Sequence, residues 1–201
     1  MRSLFTIGIL GLFLTTTAMA ADNDEYEQRL IKKTQNGLFL TPMLGMGWTL
    51  FTNGNEIDGG AGVHTGVNAE IFLSRNVGLY AGFLASRTYS PNNGPELNFG
   101  TVPAGIAFQF HPYNADIVAT IGVGVAYGAP LSSFRSAGSV LDMKPIWGFH
   151  ARTAVFFPLA DGVELGLTSE GLFSFNLLVR SSLDGPNMIA ANAGLAARIH
   201  L

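Results

Sequence analysis

Eight stretches of period-two alternation run through this chain, and they restrict its fold more than any other feature. They cover roughly 38–51, 62–74, 77–89, 98–111, 116–128, 144–157, 163–177 and 187–201. Alternation of this kind sends successive side chains to opposite faces of a β-strand. Each stretch is about 12 to 15 residues long, whereas a strand in a soluble sheet usually has about 5–6. The extra length suits a strand that crosses a bilayer at a tilt, which takes about 9–11 residues in hydrocarbon plus protruding ends. No run after the N-terminal region approaches the roughly 18 apolar residues of a spanning helix.

The stretch Gly148–Phe157, GFHARTAVFF, poses the question of facing. One row holds Phe149, Ala151, Thr153, Val155 and Phe157, and the other holds His150 and Arg152. Charged residues make up 12% of the chain and apolar residues 48%. That charge share is about half of what a soluble domain carries, so the outer surface is expected to face lipid. The bulky apolar row then points outward, and His150 and Arg152 point into a lumen. The same split recurs elsewhere. Val63, Thr65, Val67, Ala69, Ile71 and Leu73 oppose His64, Gly66, Asn68, Glu70 and Phe72. Ile117 to Tyr127 oppose Val118 to Ala126, Leu165 and Leu167 oppose Glu164 and Thr168, and Ile189 to Ile199 oppose Asn192, Gly194 and Arg198. Over 77–89 the pattern leaves both facings open.

The connections alternate in length. Arg75-Asn76, HPYNAD (111–116) and PLADG (158–162) are tight. TNGNEIDGGAG, SPNNGPEL, GAPLSSFRSAGSVLDM and LVRSSLDGP are longer, which places loops over 53–61, 90–97, 129–143 and 178–186 at the opposite end. Short turns at one end and long loops at the other are the layout of a bacterial outer-membrane barrel.

The N-terminal residues differ in kind. Met1-Arg2-Ser3, the apolar run Leu4–Leu14 and Ala18-Met19-Ala20 fit a cleaved secretory signal over residues 1–20. Residues 21–36 are charged and are expected to form a periplasmic arm or short helix, and 37–201 the barrel. The chain has no cysteine, which excludes disulfides, thiolate catalysis and cysteine metal sites. A formal net charge of −3 leaves no basic footprint for nucleic acid.

Taken together, the signal, the eight long alternating strands and the unequal loops resemble the small eight-stranded outer-membrane β-barrels of Gram-negative bacteria. The resemblance spans about residues 37–201 and is one of pattern. The chain departs from it at Arg198-Ile199-His200-Leu201, where such barrels usually end on an aromatic residue. It implies an all-β, antiparallel, up-and-down transmembrane barrel in the outer membrane. Its partners would be outer-membrane lipid and lipopolysaccharide, the barrel assembly machinery and an extracellular partner of the loops. The resemblance implies a monomer without cofactor, whose role is structural, anchoring or surface interaction. Two alternatives stand beside it: a lipid-modifying acyltransferase or deacylase, and a narrow passive channel.

The expected lumen network comprises Glu70, Gln109, His150, Arg152, Glu170, Asn192 and Arg198. With a turn centred near residue 160, His150 lies opposite Glu170 and Arg152 opposite Thr168. A lumenal carboxylate needs cationic or hydrogen-bonding partners, so Glu170 is expected to accept from Arg152, His150 or both. A nucleophilic site would draw on His150, Glu170 and Ser169 or Ser174. However, Ser169 faces away from Glu170, and position 152, where a His-x-Ser pattern needs serine, is Arg152. His64, His111, His150 and His200 show no metal-ligand spacing.

Aromatics group near both strand ends, as interface girdles do. Trp48, Phe51, Tyr89, Tyr127 and Trp147 lie toward the loops, and Phe39, Phe72, Phe108, Phe110, Tyr113, Phe156 and Phe157 toward the turns. The lumenal glycines, among them Gly66, Gly122 and Gly166, are expected to leave room inside. Pro103 cannot donate to a ladder, which predicts a bulge or a missing bond there.

Overall fold

The computed structural model describes residues 37–53, 56–89, 97–112, 116–131, 145–175 and 186–201. The expected signal over 1–20 and arm over 21–36 lie outside these residues, as do Tyr113 and most of the three later loops.

Eight strands form: β1 (Leu38–Asn53), β2 (Glu56–Phe72), β3 (Val77–Tyr89), β4 (Leu97–Phe110), β5 (Val118–Pro130), β6 (Ile146–Ala160), β7 (Val163–Ser174) and β8 (Pro186–His200). They pair in chain order, all antiparallel, and β1 closes on β8 from Phe39↔His200 to Asn53↔Pro186. Closure is what lets a strand sit in hydrocarbon, since every ladder group finds a partner.

The rows face as the alternation predicts. On β6, Gly148, His150, Arg152, Ala154 and Phe156 are buried, while Phe149, Ala151, Thr153, Val155 and Phe157 are exposed. Leu44, Met46, Leu167 and Leu195 are each more than 60% exposed, forming an apolar outer face too large for a water-facing monomer. On β3, whose facing the sequence left open, Tyr80, Leu84 and Thr88 turn inward and Leu79, Phe83 and Tyr89 outward.

Two local expectations change, and the one at Pro103 holds. The first loop, expected over 53–61, is a hairpin: β1 and β2 pair up to Asn53↔Glu56. Glycines read there as turn chemistry instead permit close approach, since a Cβ on Gly60 would come within 2.9 Å of the Tyr89 carbonyl carbon. The β6–β7 turn narrows to Asp161-Gly162, with Gly162 at φ 72° and a register irregularity between Pro158 and Ala160. That moves the pairing by two residues, so Arg152 rather than His150 lies opposite Glu170. At Pro103 the β3–β4 ladder lapses between Ala81↔Ala104 and Leu84↔Thr101 and resumes in the same register, a missing bond without a bulge. The β1–β8 ladder lapses likewise beside Pro42, between Leu40↔Ile199 and Met43↔Ala196.

The lumen is filled by side chains. Phe51, Phe99, Ile146, Leu172 and Met188 cluster at the loop end. Phe39, Phe72, Tyr80 and Ala107 cluster at the turn end. Phe39, Phe51, Phe72 and Phe156 therefore point inward instead of joining the aromatic bands. The alternation fixes this, because each falls on an inward row. Trp48, Tyr89, Tyr127, Trp147, Phe110 and Phe157 do lie on the outer face. The glycines leave no free space: a Cβ on Gly122 would lie 2.7 Å from Arg152 Cγ, and one on Gly166 2.7 Å from Phe156 Cδ1. The room they make is taken by the large inward side chains.

Candidate functional site

Besides the loop-end and turn-end apolar clusters and a third of Met43, Leu84, Val118, Ala154, Phe156 and Ala196, the inward rows bring two polar groups together. Nearer the turns, Glu70 on β2 sits between two guanidiniums. Arg152 Nη2, from β6, pairs with its Oε1, and Arg198 Nε, from β8, lies 3.4 Å from its Oε2. Arg198 also donates from Nη1 to Glu164 Oε2 at 3.1 Å and from Nη2 to Gln109 Oε1 at 3.0 Å. Its guanidinium lies 3.7 Å from the Phe39 ring centre, with Phe72 and Phe156 also close. Gln109 donates from Nε2 to the carbonyl of Arg75 at 2.7 Å, which ties the β2–β3 turn to the barrel floor.

Above this group, Glu170 on β7 is surrounded by an amide and two imidazoles. Asn68 Nδ2 donates to its Oε1 at 3.1 Å. His64 Nε2 lies 3.3 Å from its Oε2, and His150 Nε2 lies 3.9 Å from the same oxygen. Each imidazole is oriented by a hydroxyl at its other nitrogen: Ser86 Oγ is 3.2 Å from His64 Nδ1, and Tyr80 OH is 2.9 Å from His150 Nδ1. Glu70, Glu170, Arg152 and Arg198 are all buried. Burial makes each of these contacts costly to lose.

The expected Arg152–Glu170 contact is therefore replaced. Arg152 is the direct cross-strand neighbour of Glu170, yet it reaches across the lumen to Glu70. Its stem lies over Gly122 and its guanidinium over the Tyr80 ring, at 5.2 Å, while Asn68 and His64 occupy the oxygens of Glu170. Asn192 lies on the inward row beside Glu170 but outside these ion pairs. His64, Asn68 and Glu164 were absent from the expected network although they share its inward rows. Tyr80 and Ser86 were absent because they lie on the strand of open facing.

Ser86, His64 and Glu170 have the connectivity of a nucleophile, a base and the group that orients it. The cavity beside them, lined by His64, Ser86, His150 and Glu170, measures about 10 Å³. That is about the size of one water and holds no acyl substrate. Ser169 faces outward, and Ser174 accepts from the Met188 amide at 3.2 Å, a strand-end contact. Among the described residues no group of three His, Cys, Asp or Glu is arranged to hold a metal ion.

No family model and no curated protein sequence matches the chain. Solved structures do. Neisserial surface protein A (NspA) is 9% identical, with 82% of this chain and 97% of that chain covered and a TM-score of 0.57. Outer membrane protein AlkL, solved in DMPC lipid bilayers, is 12% identical, with 92% and 95% covered and a TM-score of 0.50. The N-terminal β-barrel domain of Pseudomonas aeruginosa OprF is 9% identical, with 80% and 98% covered and a TM-score of 0.48. At these identities the likeness is one of fold. The chain shares with them the closed eight-stranded antiparallel β-barrel, and its outer face is apolar.

Proposed function

We propose that this barrel is a non-conducting, non-enzymatic anchor that holds its long-loop end at the cell surface for contact with an extracellular partner. The observation that carries this reading is the filled lumen. Arg198, Phe72, Phe99, Phe156, His150 and Glu70 are among the largest fully buried side chains, and all lie on inward rows. A continuous water path would have to displace the apolar clusters and the ion pairs among them. Such interiors are packed cores, as expected for eight strands. One solved structure of the same fold is named a surface protein, which agrees with a surface role.

The same reading takes residues 1–20 as an export signal removed before insertion, 21–36 as a periplasmic arm and 37–201 as the barrel. Outer-membrane lipid and lipopolysaccharide surround a monomer delivered by the barrel assembly machinery. Planar-bilayer recording of the purified protein tests the central claim: a silent trace is expected, and steady unitary openings would overturn it. N-terminal sequencing of the protein from outer membranes is expected to start near Ala21.

A further inference from the structure

We propose that the lumen binds one ordered water molecule between His64, His150 and Glu170, and that both imidazoles reach the carboxylate through it. Three buried atoms meet at this point: His64 Nε2, His150 Nε2 and Glu170 Oε2. None of them makes a hydrogen bond to another of the described residues. His150 Nε2 lies 3.9 Å from the oxygen, beyond hydrogen-bond reach, and His64 Nε2 lies 3.3 Å from it. Each buried polar atom without a partner carries its full desolvation cost. One water placed between the three relieves all of them at once.

The space at this point suits a water and nothing larger. The cavity of about 10 Å³ is bordered by Ser86, Thr101 and Asn192 as well as by the two histidines and Glu170. A buried water needs at least about 10–15 Å³ and about two to four polar partners. The cavity meets the first requirement at its lower bound and offers more partners than the second demands. The lining is also polar where the water sits, whereas cavities that stay dry are apolar.

The donors and acceptors match a water as well. Each ring has its other nitrogen on a hydroxyl, His64 Nδ1 on Ser86 Oγ at 3.2 Å and His150 Nδ1 on Tyr80 OH at 2.9 Å. With each hydroxyl donating to Nδ1, the ring proton sits on Nε2. Both Nε2–H groups then donate to the two lone pairs of the water. The water in turn donates one hydrogen to Glu170 Oε2, and its second hydrogen faces Thr101 and Asn192. The remaining wall is apolar, made by Leu84, Leu172, Met188 and Ala190. Three of these belong to the cluster that closes the loop end, so the water exchanges with bulk only when that wall moves.

The site needs only the closed barrel and is independent of what the loops contact. The experiment is a crystal structure of the mature protein grown from a lipidic mesophase, at a resolution that shows ordered water. Density for one water within hydrogen-bond distance of His64 Nε2, His150 Nε2 and Glu170 Oε2 is expected. An empty cavity overturns the proposal, and so does a His150 ring that has moved to bond Glu170 directly. Oxygen-17 relaxation dispersion in bicelles gives a second reading, because it detects the water oxygen itself. Ala190→Val adds two methyl groups at the cavity wall and is expected to expel the water. The wild type is then expected to show one more long-lived water than Ala190→Val, and equal dispersion from the two proteins overturns the proposal. If Ala190→Val does not fold, the wild-type crystal structure decides alone.

Discussion

Arg152 and Glu70 form an ion pair across the barrel lumen, between strands β6 and β2 that are not neighbours in the sheet. Both side chains are at most 2% exposed. Such a pair ties opposite walls together, so its loss is felt by the whole barrel.

Removing one partner of a buried pair typically costs about 3–5 kcal/mol, because the other charge is stranded. Arg152→Met is expected to lose an amount of that order in urea unfolding in lipid vesicles. Combining it with Glu70→Gln is expected to recover part of the loss, as coupled partners do. Combining it instead with Glu170→Gln is expected to give closer to additive losses. If the coupling energy is larger with Glu170 than with Glu70, the cross-lumen pairing is wrong.

Ile121 lies on the outward row of β5, between Phe108 on β4 and Thr153 on β6. Near the bilayer midplane, Ile121→Arg is expected to cost about 2–4 kcal/mol of folding free energy. Refolding yield and unfolding midpoint in vesicles report it. A variant as stable as wild type would reverse the in/out assignment of that strand.

Arg198 spreads its guanidinium over Phe39 while donating to Glu164 and Gln109. Lysine offers a point charge without the planar fork. Arg198→Lys therefore keeps the charge but is expected to lose on the order of 2 kcal/mol of stacking and bidentate bonding. Thermal or urea unfolding checks it, and an unchanged midpoint would show that charge alone matters at this site.

Gly162 holds φ at 72° in the two-residue turn between β6 and β7, and a Cβ there would make only ordinary contacts with His200, the nearest at 3.8 Å. The conformation alone penalises other residues, so Gly162→Ala is expected to cost about 1 kcal/mol. A stabilised Gly162→Ala variant would contradict that backbone assignment.

Individual residues show how far the sequence could be read. The inward facing of His150, Arg152, Glu70 and Arg198 was legible, because period two is a local property of each strand. Gln109 and Glu170 were also identified, and so was His150 as a partner of Glu170, but His64 and Asn68 beside it were not. The inward turn of Phe39, Phe51, Phe72 and Phe156 could have been taken from their rows, and grouping by depth obscured it. Tyr80 and Ser86 sat on the one strand without a clear apolar row.

The sequence by itself determined the strand number, the lipid-facing rows and the closure they demand, since hydrocarbon accepts only a backbone whose hydrogen bonds are all made. Tertiary structure decided which lumenal groups meet. Contact between β2 and β6, or between β3 and β6, depends on the stagger and tilt of a closed sheet, and no alternation within one strand encodes those. The two-residue shift at Asp161-Gly162 put Arg152 opposite Glu170, and the crossing of the lumen then took it to Glu70.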